Sequence, residues 1–270
     1  GAVATMHDHM LKWWYVTDGT EAPFNATLDY FLKNENALFE FESNILNAKI
    51  ILDDVIIEMN AESSDKHMLR KAFDAYAKAV RNIMISPSVC RLLDRAVMAY
   101  AKRVGINEGD FGAVFANEDP SFAYLEEIEV LDAAILRQQG KLGDGELKAK
   151  AVDLHNRYAW STLGYYDEKS KNVESYHALI EEFSKNDPVA RKASLEHNRA
   201  EIQAHKERLI ADLPEETKKV IKIGSKSSHL KDLYKFNINE LSYSFEPFFR
   251  AISGVFGIEL ALLKDMTLRE

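Results

Sequence analysis

Histidine next to carboxylate is the combination in this chain that could hold a metal ion or move a proton, and spacing decides which. Glu174 and His177 form a Glu-x-x-His step on one helical face, the pair that a helical di-metal bundle draws from each of two helices along with further carboxylates. The sequence holds no second copy of that step, so an ordinary amphipathic helix is the better reading. His197, Glu201 and His205 stand at i, i+4 and i+8 and share one face. Their neighbours Glu196, Arg199, Lys206, Glu207 and Arg208 are the composition of a solvated helix. His7-Asp8-His9 lies at the weakly specified N-terminus. No metal ligands and no catalytic residues are assigned: the sequence contains no glycine-rich phosphate loop, and Cys90 has no histidine nearby in sequence to activate its thiol.

Two other groupings have the chemistry of binding rather than of reaction. His155, Asn156, Arg157, Tyr158 and Trp160, followed by Leu163-Gly164-Tyr165-Tyr166, place aromatic faces with polar tips beside a cation where a helix runs into a glycine-containing turn. Such a set lines a pocket for an organic ligand or plugs the end of a helical core. Lys218, Lys222 and Lys226 at fourfold spacing, then Lys231 and Lys235, make a positive stripe in an acidic chain. The stripe suits a phosphate-bearing ligand or an acidic neighbouring domain, and equally a solvated helix face.

The elements that must position these groups are helices. Twelve Gly and six Pro leave little punctuation, and apolar residues recur at three and four rather than at two. Leu38, Phe41, Ile45, Ala48, Leu52, Val55 and Met59 form such a ladder across 35–60, with Leu52 an expected core position. Ser64 and Asp65 can cap the next helix, and Ser86-Pro87 reads as a restart, with a helix from Pro87 to Arg103 closing at Gly105. The first real break falls at 106–119. Further helices are expected over 120–139, 145–161, 173–185, 188–211 and 214–223. A final segment carries Leu230, Tyr234, Asn237, Leu241, Phe245, Phe248 and Ile252, in which Pro247 should bend or end the helix. No alternating strand pair and no internal repeat is seen. The reading is an all-α, multi-helix, bundle-like domain with long core helices, a single domain over 1–270 with a possible subdivision near 105–120.

Bulk composition narrows the function classes. A hydrophobic content of 46% suffices for a sizeable core. A formal charge of -9, from 34 basic and 43 acidic residues, argues against nucleic-acid or anionic-membrane partners. One cysteine excludes an internal disulfide framework, and no apolar run reaches the length of a membrane span. Cytoplasmic placement is expected.

With the segments in view, the last two thirds of the chain resembles the central helical region of phosphoenolpyruvate-utilising phosphotransferases, the group that includes phosphoenolpyruvate synthase and rifampin phosphotransferase. The resemblance is carried by Val104-Gly105-Ile106-Asn107-Glu108-Gly109-Asp110-Phe111, Asp119-Pro120-Ser121-Phe122, His155-Asn156-Arg157-Tyr158-Ala159-Trp160, Leu233-Tyr234-Lys235, Tyr243, Glu246-Pro247 and Phe256-Gly257-Ile258. Asp265-Met266-Thr267 looks like the point of hand-over to a mobile phosphohistidine domain. In such enzymes, the resemblance implies, an ATP-binding domain phosphorylates a histidine on a swivelling domain, which carries the phosphoryl group to an acceptor, with ATP and Mg held on a domain outside this sequence. The chain departs from the full pattern by lacking both the nucleotide-binding segment and a Thr-Ser-His-type phosphohistidine signature. The expectation is a fragment or stand-alone relative of a larger enzyme, with no cofactor of its own, binding or positioning a small-molecule acceptor. His155, Tyr158, Trp160 and Tyr166 would shape the pocket, while Lys231 and Lys235 would face the incoming phosphoryl group. The competing expectation is a non-catalytic structural or docking module.

Overall fold

The structure is a computed structural model that describes residues 2–7, 10–15, 22–34, 36–58, 65–162 and 170–265. It is an all-α, multi-helix fold, with one departure at its start. β1 (Ala2–His7) and β2 (Met10–Tyr15) pair antiparallel, Ala2 opposite Tyr15 and His7 opposite Met10. No strand pair is expected from the sequence there, but Trp13-Trp14-Tyr15 is an aromatic run of the kind strands favour. The helices are α1 (Ala22–Lys33), α2 (Ala37–Glu58), α3 (Lys66–Arg103), α4 (Phe111–Val114), α5 (Phe122–Gln138), α6 (Asp144–Tyr158), α7 (Val173–Lys185), α8 (Pro188–Ile210), α9 (Glu215–Phe256) and α10 (Leu260–Asp265). Among the described residues no helix is long and apolar enough to cross a membrane.

The chain divides into two compact units, Gly1–Gly105 with Lys222–Glu270, and Ile106–Ile221. The first break falls at Gly105, whose φ of 85° suits glycine and few other residues.

In the first unit, α2 and α3 pack with α9 around Ile45, Leu69, Ile83, Leu93, Leu241 and Phe245. Leu38 and Ile45 of the α2 ladder are buried and Phe41 is half-buried. The side chains of Ala48, Leu52 and Val55, and all of Met59, lie outside the described residues. Pro87, expected to restart a helix, does not, and Pro247, expected to bend or end its helix, does not end it. α3 runs for 38 residues through Pro87, and α9 runs for 42 through Pro247, uniting the expected 214–223 helix with the final segment. An interior proline removes one backbone hydrogen bond and costs about 3 kcal/mol. Burial on both sides outweighs it: Ile83, Cys90 and Leu93 flank Pro87, and Leu241, Phe245, Phe248, Phe249 and Ile252 flank Pro247. α9 closes instead before Gly257, at φ 68°. The Cys90 thiol is buried, and burial pushes its pKa up to about 11, so it stays an unreactive thiol near neutral pH.

One carboxylate ties α2 to α9. Glu42 accepts from Lys226 Nζ at 2.7 Å and from His229 Nε2 at 2.8 Å. Burial pushes the Glu42 carboxyl upward, but the hydrogen bonds from Lys226 and His229 and their charges outweigh it and hold it below the usual carboxylate range. A lowered folded-state pKa adds stability that is present above the unfolded value and lost as pH falls through the folded one. Glu42→Gln is therefore expected to be less stable than wild type at neutral pH. The gap should narrow as pH falls below the usual carboxylate range and close once the wild-type carboxyl is itself protonated. Urea midpoints over a falling pH series check this, and a gap independent of pH would contradict it.

In the second unit the helix starts follow local chemistry. Ser121 Oγ accepts from Tyr124 N at 3.3 Å, Asn172 Oδ1 from Ser175 N at 2.8 Å, and Asp187 Oδ1 from Ala190 N at 2.9 Å ahead of Pro188. The expected break after Ile106 holds a 3-10 turn, Glu108–Asp110, and the single turn of α4. α5, α6 and α7 pack on Val130, Leu131, Ala134, Leu147, Leu154, Tyr176 and Ile180.

Candidate functional site

The aromatic and histidine cluster lies where α6 passes into a 3-10 turn, Ala159–Thr162, beside α5 and α7. Helical spacing puts His155 one turn before Tyr158, and His155 is half-buried. Tyr158 is buried and its hydroxyl donates to Glu129 Oε1 at 2.9 Å. Arg157 pairs with the other oxygen of Glu129 and, at 2.6 Å, with Asp153. Burial, then the hydrogen bond to the Glu129 carboxylate and its charge, push the Tyr158 phenol up to about 12. Trp160 is 2% exposed, its ring centroid 5.3 Å from Phe122 and 6.4 Å from Tyr158. The structure thus brings Tyr158 and Trp160 together as packed core.

Of the other expected binding residues, Tyr166 lies outside the described residues. Lys231 and Lys235 belong to the first unit. Lys231 Nζ is 2.9 Å from Asp94 Oδ2, and Lys235 is exposed. Within the lysine stripe Lys218 pairs with Glu215 at 3.0 Å and Lys226 with Glu42, so carboxylates of the chain already neutralise much of it.

Next to Trp160 is a charged group that the sequence reading passes over. Glu126 is 6% exposed and accepts from Lys171 Nζ at 2.6 Å and from Tyr176 Oη at 2.7 Å. Lys171 Nζ also reaches Ser161 Oγ at 3.4 Å. Burial first, then the bond to Glu126, raise the Tyr176 phenol far above its ordinary value. A signal for it exists: Glu126 stands four residues from Phe122 and four from Val130, on the apolar ladder of α5, where a carboxylate must find a partner.

Elsewhere, an open groove of about 820 Å³ runs along α8, lined by Ala113, Ala200, Glu201, Ile202, His205 and Arg208 among others. A smaller cavity of about 180 Å³ is lined by Phe24, Asn25, Arg95 and Ala99. None of the expected binding residues lines either. His197 Nε2 is 3.4 Å from Glu201 and His205 Nε2 is 3.2 Å from Asp110. Among the described residues no three His, Cys, Asp or Glu side chains are placed to hold a metal ion.

Chemically, the arrangement is a set of closed pairs. The two tyrosine hydroxyls keep their protons at neutral pH, each donating to a carboxylate that a lysine or arginine also holds. Comparison with protein-family models, with curated proteins and with solved structures finds no match for the chain.

Proposed function

We propose that this chain is a helical positioning module of a phosphotransferase that resembles the phosphoenolpyruvate-utilising enzymes, docking and spacing ATP-binding and phosphohistidine domains in the cytoplasm without supplying a reacting group. The observation that carries the reading is the mutual pairing of the polar groups around Trp160. Tyr158, Glu129 and Arg157 satisfy one another, as do Glu126, Lys171 and Tyr176. Acid–base or carrier chemistry needs a group whose pKa lies near the working pH and which can reach a substrate. Closed pairs serve rigidity instead, which is what a docking scaffold requires. The family part of the reading rests on the sequence resemblance, with which an all-helical fold agrees.

The acceptor-binding reading, in which His155, Tyr158, Trp160, Tyr166, Lys231 and Lys235 contact a small molecule, keeps one support. Tyr158, Trp160 and Phe122 do form an aromatic group of the kind that lines ligand sites. Two measurements separate the readings. Incubation with labelled ATP and Mg²⁺, or with labelled phosphoenolpyruvate, is expected to give neither hydrolysis nor labelled protein. Stoichiometric labelling of a histidine would overturn the proposal. Calorimetry against separately produced ATP-binding and phosphohistidine domains of such a phosphotransferase is expected to show binding. Heat from a phosphorylated small-molecule acceptor, with none from the domains, would favour the acceptor-binding reading instead.

A further inference from the structure

α8 is held in the second unit in a way that α5, α6 and α7 are not. Of its 23 residues only Pro188 and Lys206 are buried. Val189 and Ile202 are 52% and 46% exposed, and its remaining apolar contact is limited to half-buried Leu195, Leu209 and Ile210 together with small alanines. α5 buries Val130, Leu131, Ala133 and Ala134, and α7 buries Tyr176 and Ile180.

Polar contacts replace apolar burial along the length of α8. Arg191 pairs with Glu127 at 2.6 Å and Lys192 with Asp132 at 2.6 Å, both on α5. Further along, the segment before α5 is held by its carbonyls. Lys206 Nζ donates to Ala116 O at 2.8 Å, Gln203 Nε2 to Asn117 O at 2.9 Å, and Arg199 to Glu118 O. Residues 199, 203 and 206 share one helical face, so three successive carbonyls meet one row of donors.

We propose that α8 is a salt-sensitive strap, which undocks from α4 and α5 while α5, α6 and α7 stay packed, uncovering the 116–118 carbonyls and the α5 carboxylates Glu127 and Asp132. Exposed ion pairs contribute little each and are screened by salt. The screening length falls from about 10 Å at 0.1 M to about 3 Å at 1 M. Most of a protein helix's stability comes from tertiary packing rather than from propensity, so the amides of α8 lose protection once it leaves its support. Elements with few buried apolar contacts open at low free energy, and opening is read directly by amide exchange.

Hydrogen exchange on the full chain in 0.1 M and 1 M NaCl tests this. Amides of 192–210 are expected to exchange at least about tenfold faster than those of 126–138 and 176–185 at the lower salt, and faster again at the higher, with the other helices unchanged. Arg191→Glu with Lys192→Glu should reproduce the high-salt pattern at 0.1 M. Equal protection of α8 and α5 at both salts would overturn the strap. So would a variant that loosens α5 and α7 as much as α8, because α8 would then be an integral part of the core.

Discussion

Lys171→Met is expected to lower the stability of the protein by about 3 kcal/mol, a large fraction of what a typical domain has. The cause is what the substitution leaves behind. Glu126 is 6% exposed, and with Lys171 gone its carboxylate keeps, among the described residues, the hydroxyl of Tyr176 at 2.7 Å. One neutral hydrogen bond does not replace the hydration that a buried carboxylate has given up, so the uncompensated charge dominates the loss. Glu126→Gln removes the charge instead of stranding it and keeps an acceptor for Tyr176, and about 1 kcal/mol is expected. The double replacement Glu126→Leu with Lys171→Met leaves no charge at the site and should recover much of the loss, because buried pairs add little net stability over apolar packing. Urea unfolding of the three variants orders these outcomes. A Lys171→Met protein as stable as wild type would mean that water reaches Glu126.

The same site marks where sequence reading reaches its limit. Helix starts are local chemistry, so Ser121, Asn172 and Asp187-Pro188 announce α5, α7 and α8, and Gly105 announces the end of α3. Pro87 announces a restart and Pro247 a bend or an end, yet both helices run through these prolines, because buried residues on either side outweigh a local penalty of about 3 kcal/mol. That balance is set by tertiary contacts, which no short window contains. Partners are hidden for the same reason. Lys171 lies 45 positions from Glu126, Lys206 lies 90 from Ala116, and Lys231 lies 137 from Asp94. A lysine stripe read along the sequence therefore looks open to phosphate, whereas in space Lys226 and Lys231 already have carboxylates. The aromatic run at Tyr158 and Trp160 was legible as a cluster. Of its two possible roles, the ring burial corresponds to a core plug. Only Glu126, a carboxylate on an apolar ladder, carried a visible sign of what the structure does with it.

Phe245→Ala is expected to have the largest effect, a loss of about 3 to 5 kcal/mol. Phe245 is fully buried in the first unit, stacked on Tyr76 at 4.4 Å and on Phe248 at 5.2 Å, with Phe249 edge-on at 4.9 Å. Removing the ring takes away its transfer free energy and leaves a void between α3 and α9, and it also removes three aromatic contacts that add about 0.5 to 1.5 kcal/mol for each pair. The polar alternative at the same place is small by comparison. Tyr76 Oη lies 3.3 Å from Ser242 Oγ, long for a bond between hydroxyls, so Tyr76→Phe should change stability by about 0.5 kcal/mol. Phe245→Leu keeps much of the apolar volume and should fall between the two. The position also bears on why α9 continues past Pro247. Phe245, Phe248 and Phe249 anchor both sides of the proline in one aromatic group, and that anchorage offsets the missing backbone bond. Phe245→Ala should therefore weaken amide protection around 243–252 more than around 230–238, although all of these residues belong to the same helix. Denaturant unfolding with hydrogen exchange reads both consequences, and a uniform loss of protection along α9 would mean that the aromatic group does not hold the helix across Pro247.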